Sequence, residues 1–304
     1  MAVLYTSEAR RGEVFAEAFG RELPDLPFHR QQAPDPAAVE YIVAWTLPPG
    51  TAERYPNLKL VFSVGAGVDQ LDLSAIPEHV GVVRMLEPGL AEQMREYVGM
   101  AVLGLHRDLP AYLDQQRQGV WQPGRNVPAA DRRIGVMGLG QLGRAVLDML
   151  GPFGFALSGW SRSAPAIPGV KTVSALEPFL AGCDILVCLL PLTAETTGFL
   201  DERLFSLLPQ GAALVHVGRG RQLDQGALLH ALDSGRLRSA WLDVTEPEPL
   251  PRDHPFWNHP GIVLTPHVAC QTRAADGAAH VIAAIRAHRA GQAVPGLVDR
   301  QRGY

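Results

Sequence analysis

The order of apolar and polar positions along the chain predicts short strands that alternate with helices. In the first part, apolar runs with the length and composition of strands come at four places, and residues 8–19 have the spacing of an amphipathic helix. These four runs are Ala2–Thr6, Tyr41–Trp45, Leu58–Val64 and Val80–Met85. From Leu90 to about Gly119, apolar residues recur at helical spacing, which predicts one long helix that passes from one domain into the next.

A more regular series of strands and helices follows in the middle of the chain. The predicted strands are Arg133–Gly138, Phe155–Trp160, Asp184–Leu190, Ala212–Val217, Ser239–Val244 and Gly261–Thr265. The predicted helices are Gln141–Phe153, Ser174–Ala181, Asp201–Leu207 and Asp224–Ser234. Ser174 to Glu177 have capping-box spacing, and Asp224 is expected to be an N-cap. Such alternation indicates a parallel sheet with crossover helices. The Ala-rich stretch Thr272–Ala290 predicts a final helix that packs back on the first domain.

Composition narrows the class of protein. The 304 residues suffice for two domains, and 47% hydrophobic with 19% charged residues are typical of a globular protein. A formal net charge of −4 gives no reason to expect nucleic acid or an anionic membrane as a partner. The 3 cysteines predict no disulfide framework, so we expect a reducing, cytoplasmic compartment. We also expect no signal peptide, because the N-terminus opens with a strand-like run, and no apolar run approaches the length of a bilayer span.

The segment Gly138-Leu139-Gly140-Gln141-Leu142-Gly143 has the spacing of a dinucleotide-binding loop. Glycines there let the chain turn tightly and let the backbone approach a pyrophosphate, whose charge is stabilised by the N–H groups that open the next helix. The same spacing alone is weak evidence and often only a loop. Here it follows a predicted strand and opens a predicted helix, which is the context that the motif requires.

The residues after the second strand of this series bear on the choice of cofactor. An NAD-selective site normally presents a carboxylate about 20 residues after the glycine loop. Ser161 stands 18 residues after Gly143 and is followed by Arg162 and Ser163. A guanidinium beside hydroxyl groups suits a 2′-phosphate, so the sequence favours NADP(H), with NAD(H) as a possible second cofactor. The alternative is an ordinary surface arginine.

Three ionisable residues follow successive apolar runs in the second half of the chain. They are Arg219, Glu246 and His267, and the carboxyl ends of parallel strands converge on a ligand crevice. A guanidinium can bind a carboxylate in a bidentate manner, and an imidazole can donate a proton near neutral pH. Glu246 would orient that imidazole through its other ring nitrogen. Each residue alone could be a solvated strand-end side chain, a turn or a capped core residue. Together, after a dinucleotide loop, they favour the reduction of a 2-oxo acid.

At this point the chain resembles the D-isomer-specific 2-hydroxyacid dehydrogenase family, and most closely its glyoxylate/hydroxypyruvate reductase A branch. The resemblance runs from Val64-Gly65-Ala66-Gly67-Val68-Asp69 to the C-terminal helix. It implies that Arg219, Glu246 and His267 are catalytic, and that the protein is a homodimer. It implies a cofactor site made of Gly138, Gly140, Gln141, Leu142, Gly143, Ser161, Arg162, Ser163, Leu190, Pro191, Thr196, Val217, Gly218 and Asp243, the last binding the nicotinamide carboxamide. Two departures stand out: His216 and Gly218 replace the Asn and Ala that the family often has, and Ser161 replaces an acidic residue.

The first domain contributes candidate substrate-binding residues. Val64-Gly65-Ala66-Gly67 follows a predicted strand, and its consecutive backbone N–H groups could form an anion-binding nest or only a turn. The resemblance implies that Val64 and Gly65, with Ala66 beside them, bind the substrate carboxylate together with Arg219. Trp45 could wall the pocket or be a half-buried core residue.

The sequence therefore predicts an α/β protein with two Rossmann-like domains, each a doubly wound parallel sheet, flanking an active-site cleft. We expect a discontinuous substrate domain at 1–98 and 271–304, and a dinucleotide-binding domain at 99–270. The expected reaction is NADPH-dependent reduction of glyoxylate or hydroxypyruvate, with the proton from His267 and no metal. The alternatives are a D-lactate, phosphoglycerate or formate type of dehydrogenase, or a non-catalytic nucleotide-sensing protein like the dehydrogenase-fold corepressors. Intact Arg219, Glu246 and His267 argue against the last of these.

Overall fold

The computed structural model describes residues 1–300 of the chain. Within them lie twelve strands and nine α-helices. The strands are β1 (Ala2–Thr6), β2 (Phe28–Arg30), β3 (Val39–Ala44), β4 (Leu60–Ser63), β5 (Gly81–Val83), β6 (Arg133–Met137), β7 (Ala156–Trp160), β8 (Lys171–Val173), β9 (Ile185–Cys188), β10 (Ala212–His216), β11 (Leu237–Leu242) and β12 (Ile262–Leu264). The helices are α1 (Ala9–Glu22), α2 (Thr51–Arg54), α3 (Pro88–His106), α4 (Leu109–Gln118), α5 (Gln141–Leu150), α6 (Leu176–Leu180), α7 (Glu202–Leu207), α8 (Gln225–Asp233) and α9 (Ala274–Arg289).

The chain folds as two compact units, the first made of residues 1–90 and the described residues from 271 onward. Its five strands form a parallel sheet in the order β2-β1-β3-β4-β5. Apolar side chains of β1, β3 and β4 are buried, as expected for a parallel sheet that is covered on both faces. The C-terminal helix α9 belongs to this unit, and its Gly277 lies close to Phe15 of α1. Small residues on α9 therefore allow the two helices to approach closely.

The second unit, residues 91–270, holds a seven-stranded parallel sheet in the order β12-β11-β10-β9-β6-β7-β8. The chain runs outward from β6 through β7 to β8, and then returns to place β9 on the other side of β6. Such a reversal of strand order is the topological switch point at which open α/β sheets bind ligands, outside the carboxyl ends of the strands. Strand β9 is fully buried, which accounts for its uninterrupted apolar sequence. The two parallel sheets confirm the predicted fold class.

The first unit ends at Leu90, whereas the sequence predicted a boundary after residue 98; the second division, after residue 270, lies where it was expected. The difference arises within α3. Met94, Tyr97 and Val98 are buried in the core of the second unit, against residues such as Val146 of α5. Their apolar contacts, rather than the length of the helix, decide to which unit this segment belongs.

Two predictions about local structure were wrong, and two short strands were missed. The single helix from Leu90 to about Gly119 is divided into α3 and α4, because Asp108 has a left-handed φ of 54° and Pro110 lies in the first turn of α4. Ser174 does not cap α6, which begins after Ala175 without a side-chain cap. The short strands β2 and β8 were not predicted. By contrast, Asp224 caps α8 as expected, with its carboxylate accepting from the Ala227 N–H. No helix among residues 1–300 is long and apolar enough to cross a membrane.

Candidate active site

The predicted functional residues of the second unit follow neighbouring strands of one sheet. Arg219 comes after β10, Asp243 after β11 and His267 after β12, and these three strands are adjacent and parallel. On the other side of β10, the chain passes Leu190 after β9 and the glycine loop after β6. Because all these strands are parallel, their carboxyl ends lie along one edge, and the side chains that follow them are brought together there.

The glycine loop has the backbone geometry that a dinucleotide requires. Gly138 has a φ of 98°, and a β-carbon there would lie 2.7 Å from the carbonyl oxygen of Leu189. A β-carbon at Gly143 would overlap the carbonyl oxygen of Gly138, so close packing of the loop on α5 needs glycine at both positions. At Gly140 a β-carbon would meet nothing of the protein within 4 Å. Gly140 is the N-cap of α5, so the loop leads directly into the helix N-terminus, where backbone N–H groups favour a pyrophosphate.

The turn after β7 presents the three residues that the sequence assigned to the ribose phosphate. The hydroxyl oxygen of Ser161 accepts a hydrogen bond from the backbone N–H of Ala164 at 3.1 Å, which closes the turn. Arg162 and Ser163, between them, are exposed. Ser161 therefore shapes the turn, while the guanidinium and the second hydroxyl lie at the surface, where a charged phosphate can reach them. The residues present thus fit an NADP-type cofactor.

The segment that follows β9 is held by internal hydrogen bonds. The Thr196 hydroxyl donates to the carbonyl oxygen of Pro191 at 2.7 Å and accepts from the backbone N–H of Thr193 at 2.8 Å. The side-chain amide of Gln222 donates to the carbonyl oxygens of Leu190 and Pro191, at 3.1 and 3.0 Å. The predicted cofactor-side residues Leu190, Pro191 and Thr196 therefore lie in one ordered loop. Val217, which follows β10, is hydrogen-bonded to the end of β9 through Cys188.

The carboxylate that pairs with His267 is Glu248, and the assignment of this role to Glu246 was wrong. Nδ1 of His267 donates to Oε2 of Glu248 at 2.8 Å. Glu246, two residues earlier, is exposed, and its backbone carbonyl oxygen accepts from the side chain of Gln225. The backbone N–H of Thr245 donates to Oε1 of Glu248 at 3.1 Å, which folds the loop so that the second glutamate faces the imidazole. The two Glu-Pro pairs of this loop are alike in sequence, and only its fold separates them.

Glu248 is held in its charged form. Burial alone would raise the pKa of Glu248, but hydrogen bonds from His267 and from the Thr245 N–H outweigh burial, so the pKa lies below its ordinary value. The positive charge of Arg219 acts in the same direction. A carboxylate can only accept, so Nδ1 of His267 carries a proton and Nε2 is the ring nitrogen that remains for chemistry. Arg219 and His267 thus both interact electrostatically with the Glu248 carboxylate.

Asp243 supports the loop that carries His267. Its Oδ1 accepts from the Thr265 hydroxyl at 2.6 Å and from the Val268 N–H at 2.9 Å, and its Oδ2 accepts from the Ala269 N–H at 2.8 Å. The backbone N–H of His267 in turn donates to the Asp243 carbonyl oxygen at 2.9 Å. His267 has a φ of 54°, a left-handed conformation that costs a histidine free energy and needs such surrounding support. The role of Asp243 toward a nicotinamide carboxamide stays a prediction.

Tyr97 and Trp241, which the sequence analysis did not assign to the site, also support the loop that carries His267. The Tyr97 hydroxyl is hydrogen-bonded to the Thr265 hydroxyl, and it accepts from the indole N–H of Trp241 at 3.1 Å. Burial raises the pKa of Tyr97 to about 12, so the phenol stays neutral and keeps its proton for this network. Tyr97 lies among the apolar residues of α3, and nothing in the helical spacing distinguishes it from a core side chain.

The predicted substrate residues of the first unit follow two neighbouring parallel strands: Trp45 follows β3, and Val64, Gly65 and Ala66 follow β4. Gly65 packs below Trp45, since a β-carbon at Gly65 would lie 3.1 Å from the indole ring, and Trp45 is 46% exposed. The Gly65 N–H donates to the Ser63 hydroxyl at 3.1 Å, and the Val64 N–H donates to the Ala44 carbonyl oxygen at 3.2 Å. In this structure these two N–H groups therefore do not form the open nest that was predicted. Substrate binding by Trp45, Val64, Gly65 and Ala66 stays a prediction.

No group of three or more metal-binding side chains is found within residues 1–300. Of the cysteines, Cys183 and Cys188 are buried, and burial raises the pKa of each thiol to about 12. Both therefore stay protonated at neutral pH and pack as core residues, whereas Cys270 is half-buried at the end of the second unit.

Comparison with known proteins identifies similar sequences and structures along the whole chain. Residues 99–269 match the family described as "D-isomer specific 2-hydroxyacid dehydrogenase, NAD binding domain". A D-isomer specific 2-hydroxyacid dehydrogenase from Xanthobacter autotrophicus Py2, in complex with NADPH and MES, is 38% identical with a TM-score of 0.93, and the match covers 100% of this chain and 99% of that one.

Two further solved structures are similar to this chain to an equal degree. An NADPH-dependent glyoxylate/hydroxypyruvate reductase from Sinorhizobium meliloti, in complex with NADP and sulfate, is 34% identical with a TM-score of 0.91. A probable 2-hydroxyacid dehydrogenase from Rhizobium etli, in complex with NADP, HEPES and L(+)-tartaric acid, has the same identity and TM-score. Each match covers 100% of this chain and 99% of the other.

Proposed function

The chain belongs to the D-isomer specific 2-hydroxyacid dehydrogenase family, and on this premise we propose that it reduces small 2-oxo acids, such as glyoxylate and hydroxypyruvate, with NADPH. It is an NAD(P)-dependent oxidoreductase. The observation that carries the proposal is the 2.8 Å hydrogen bond between His267 and Glu248, with the charge of Arg219 acting on the Glu248 carboxylate. The glyoxylate/hydroxypyruvate reductase from Sinorhizobium meliloti, similar over its whole length, supports this class of substrate.

The chemistry assigns one task to each residue. NADPH, when bound at the glycine loop, supplies the hydride that reduces the substrate carbonyl. Arg219 binds the substrate carboxylate, because its fixed fork of donors matches two oxygens and it stays charged near neutral pH. His267 gives a proton from Nε2 to the carbonyl oxygen as charge develops there. Glu248 accepts from Nδ1, which orients the ring and stabilises its protonated form.

The cofactor preference can be reversed at the turn after β7. We expect wild type to use NADPH better than NADH, because Arg162 pairs with the 2′-phosphate and no carboxylate follows β7 directly. Ser161→Asp with Arg162→Ala should reverse or abolish this preference, mainly through KM, since a lost charge-assisted contact corresponds to about a ten- to hundredfold loss in affinity. The measurement is kcat/KM for both cofactors in both proteins. A wild type that prefers NADH would refute the assignment of Arg162 and leave the catalytic residues untouched.

The two glutamates of the loop after β11 provide a matched pair of variants. Glu248→Gln should lower kcat at least about tenfold, because the amide cannot stabilise a protonated imidazole. Glu246→Gln, in the same loop and next to the same kind of proline, should leave kcat unchanged within about twofold, since the hydrogen bond to His267 is made by Glu248 and not by Glu246. Steady-state rates with glyoxylate and saturating NADPH test both. Equal losses in the two variants would contradict the assignment of Glu248.

One assay tests the proposed activity. NADPH and NADH oxidation is followed at the nicotinamide absorbance with glyoxylate, hydroxypyruvate, pyruvate and phenylpyruvate. We expect the highest kcat/KM with NADPH and either glyoxylate or hydroxypyruvate. A best rate with pyruvate would favour a D-lactate type of dehydrogenase, and no turnover with any of the four would overturn the proposal.

We also propose that the protein is a homodimer. Several large apolar side chains on α4 and in the segment after it are exposed, and Trp121 is 99% exposed. They are Leu109, Tyr112, Leu113, Val120 and Trp121. Such a patch, contiguous in sequence, is a typical surface for a second copy of a chain. Sedimentation equilibrium measures the mass directly, and a monomer at every concentration would refute the proposal.

A further inference from the structure

The main chain of Arg219 is held by two buried side chains that have no part in the chemistry above. The backbone N–H of Arg219 donates to the side-chain oxygen of Gln222 at 2.8 Å. Its carbonyl oxygen accepts from Nε2 of His216 at 2.9 Å, and also from the backbone N–H of Gln222 at 3.0 Å. Both peptide groups that flank the α-carbon of Arg219 are therefore fixed, which sets the direction in which its side chain leaves the backbone.

Gln222 connects this point to the loop after β9. It is 1% exposed, and its amide uses its oxygen for Arg219 and both of its N–H groups for the carbonyl oxygens of Leu190 and Pro191. A buried amide with every group satisfied specifies one arrangement of its neighbours, because any shift leaves a polar group unpaired. Gln222 thus couples the position of Arg219 to the predicted cofactor-side loop.

His216 costs more free energy at this buried position than an apolar residue of the same size would. It is fully buried, and since a carbonyl oxygen can only accept, Nε2 carries the proton in the bond to Arg219. Its Nδ1 is then a buried acceptor without a hydrogen-bond partner. Burial lowers the pKa of His216 to about 4, so the ring is neutral at working pH and adds no charge beside the guanidinium. An apolar residue would avoid the unpaired nitrogen, but it could not donate to Arg219.

Gly218 leaves the space that this arrangement needs. A β-carbon at Gly218 would overlap the side-chain oxygen of Gln222 and would lie 3.2 Å from the carbonyl oxygen of Leu190. The carbonyl oxygen of Gly218 also accepts from Nη1 of Arg219 at 2.8 Å. Glycine at 218 and glutamine at 222 are therefore compatible with each other, whereas alanine at 218 would displace the amide.

We propose that His216 and Gln222 are positioning residues that fix the main chain of Arg219 for substrate binding, with Gly218 providing the room for Gln222. The inference rests on the proposed function through the role of Arg219 toward the substrate carboxylate. His216 acts on Arg219 alone. Gln222 acts on Arg219 and on the loop of Leu190 and Pro191, so the two residues differ in what their loss should change.

The first experiment separates positioning from a merely structural role. His216→Phe keeps a buried ring but loses the donor, and it should raise KM for glyoxylate about tenfold while the Kd for NADPH, measured by fluorescence titration, stays within about twofold. His216→Gln keeps a donor on a side chain of similar reach, and it should recover most of that loss. Gln222→Met should raise both KM for glyoxylate and the Kd for NADPH.

Matched controls exist for both variants. His280 is a half-buried histidine of the first unit whose Nε2 donates to a backbone carbonyl oxygen, that of Arg84 at 3.2 Å, so His280→Phe removes the same kind of bond elsewhere. Gln210 donates to the carbonyl oxygen of Gly235, so Gln210→Met is the second control. Both controls should leave KM and Kd unchanged. A His216→Phe protein with a lower Tm but an unchanged KM would overturn the positioning role.

A double-mutant cycle tests the space at Gly218 without relying on the reaction. Gly218→Ala should lower Tm and kcat/KM in the wild-type background, and it should have a much smaller effect on both when Gln222→Ala has removed the amide. Additive effects on Tm would refute the coupling. If wild type reduced none of the four 2-oxo acids, the proposed function would fail, and the coupling in Tm would still decide whether the arrangement of Gly218 and Gln222 exists.

Discussion

Replacement of His267 by alanine is expected to lower kcat by about 10²–10⁴-fold, the range for the loss of a general acid. The reason is geometric: Nδ1 is bound to Glu248, so Nε2 is the nitrogen that would deliver the proton in the proposed reaction. NADPH binding should be nearly unchanged, because the glycine loop follows β6 and makes no use of the imidazole. The measurements are kcat with glyoxylate and the Kd for NADPH.

The backbone at position 267 calls for a second variant. Because His267 has a φ of 54°, His267→Ala also changes the cost of a left-handed conformation. Asparagine tolerates that conformation best among residues other than glycine, so His267→Asn keeps the loop while it removes the imidazole. His259→Ala serves as a control, since it breaks another histidine–carboxylate pair of the same unit, with Asp233 at 3.4 Å. Turnover like that of wild type in both His267 variants would remove this residue from the mechanism.

The second large effect is expected at Arg219. Arg219→Lys keeps the charge but loses the planar fork, so kcat/KM for glyoxylate should fall by about a hundredfold, corresponding to about 3 kcal/mol for a charge-assisted contact. Arg221→Lys is a close control, because Arg221 is exposed two residues further along. Rates at subsaturating glyoxylate give kcat/KM directly. Full efficiency in Arg219→Lys would mean that Arg219 contributes only a diffuse charge.

The sheet of the second unit could be predicted because its strands are short, apolar and separated by helical spacing. Strand β9, for example, is buried on both faces, and burial of that kind leaves a continuous apolar run that sequence reveals. The break between α3 and α4 was missed because apolar spacing continues through it. The signal in the sequence was Pro110, and the left-handed φ of Asp108 is visible only in the structure. Strands β2 and β8, each three residues long, are too short to show any periodicity.

The candidate site was predictable where residues follow strands directly. Arg219 and His267 lie three residues after the ends of β10 and β12, so the sheet fixes the positions of their backbones. Glu248 lies further along its loop, and hydrogen bonds from Thr245 and His267, which no spacing rule encodes, decide that it and not Glu246 faces the imidazole. Gln222 escaped notice for a related reason. The sequence suggests that a glutamine after Arg-Gly-Arg lies at the surface. The structure instead buries Gln222 and hydrogen-bonds its amide to three backbone groups.

The division of the chain into two compact units determines where hybrids with related proteins can be joined. The glycine loop, the turn after β7 and the pair of His267 with Glu248 all belong to one continuous stretch, residues 91–270, which folds around its own sheet. The predicted substrate residues 64–66 and Trp45 belong to the other unit. An exchange of that unit between relatives would therefore leave the glycine loop, the turn after β7 and the pair of His267 with Glu248 intact, and residues 90 and 270 are the two points at which such hybrids should be joined.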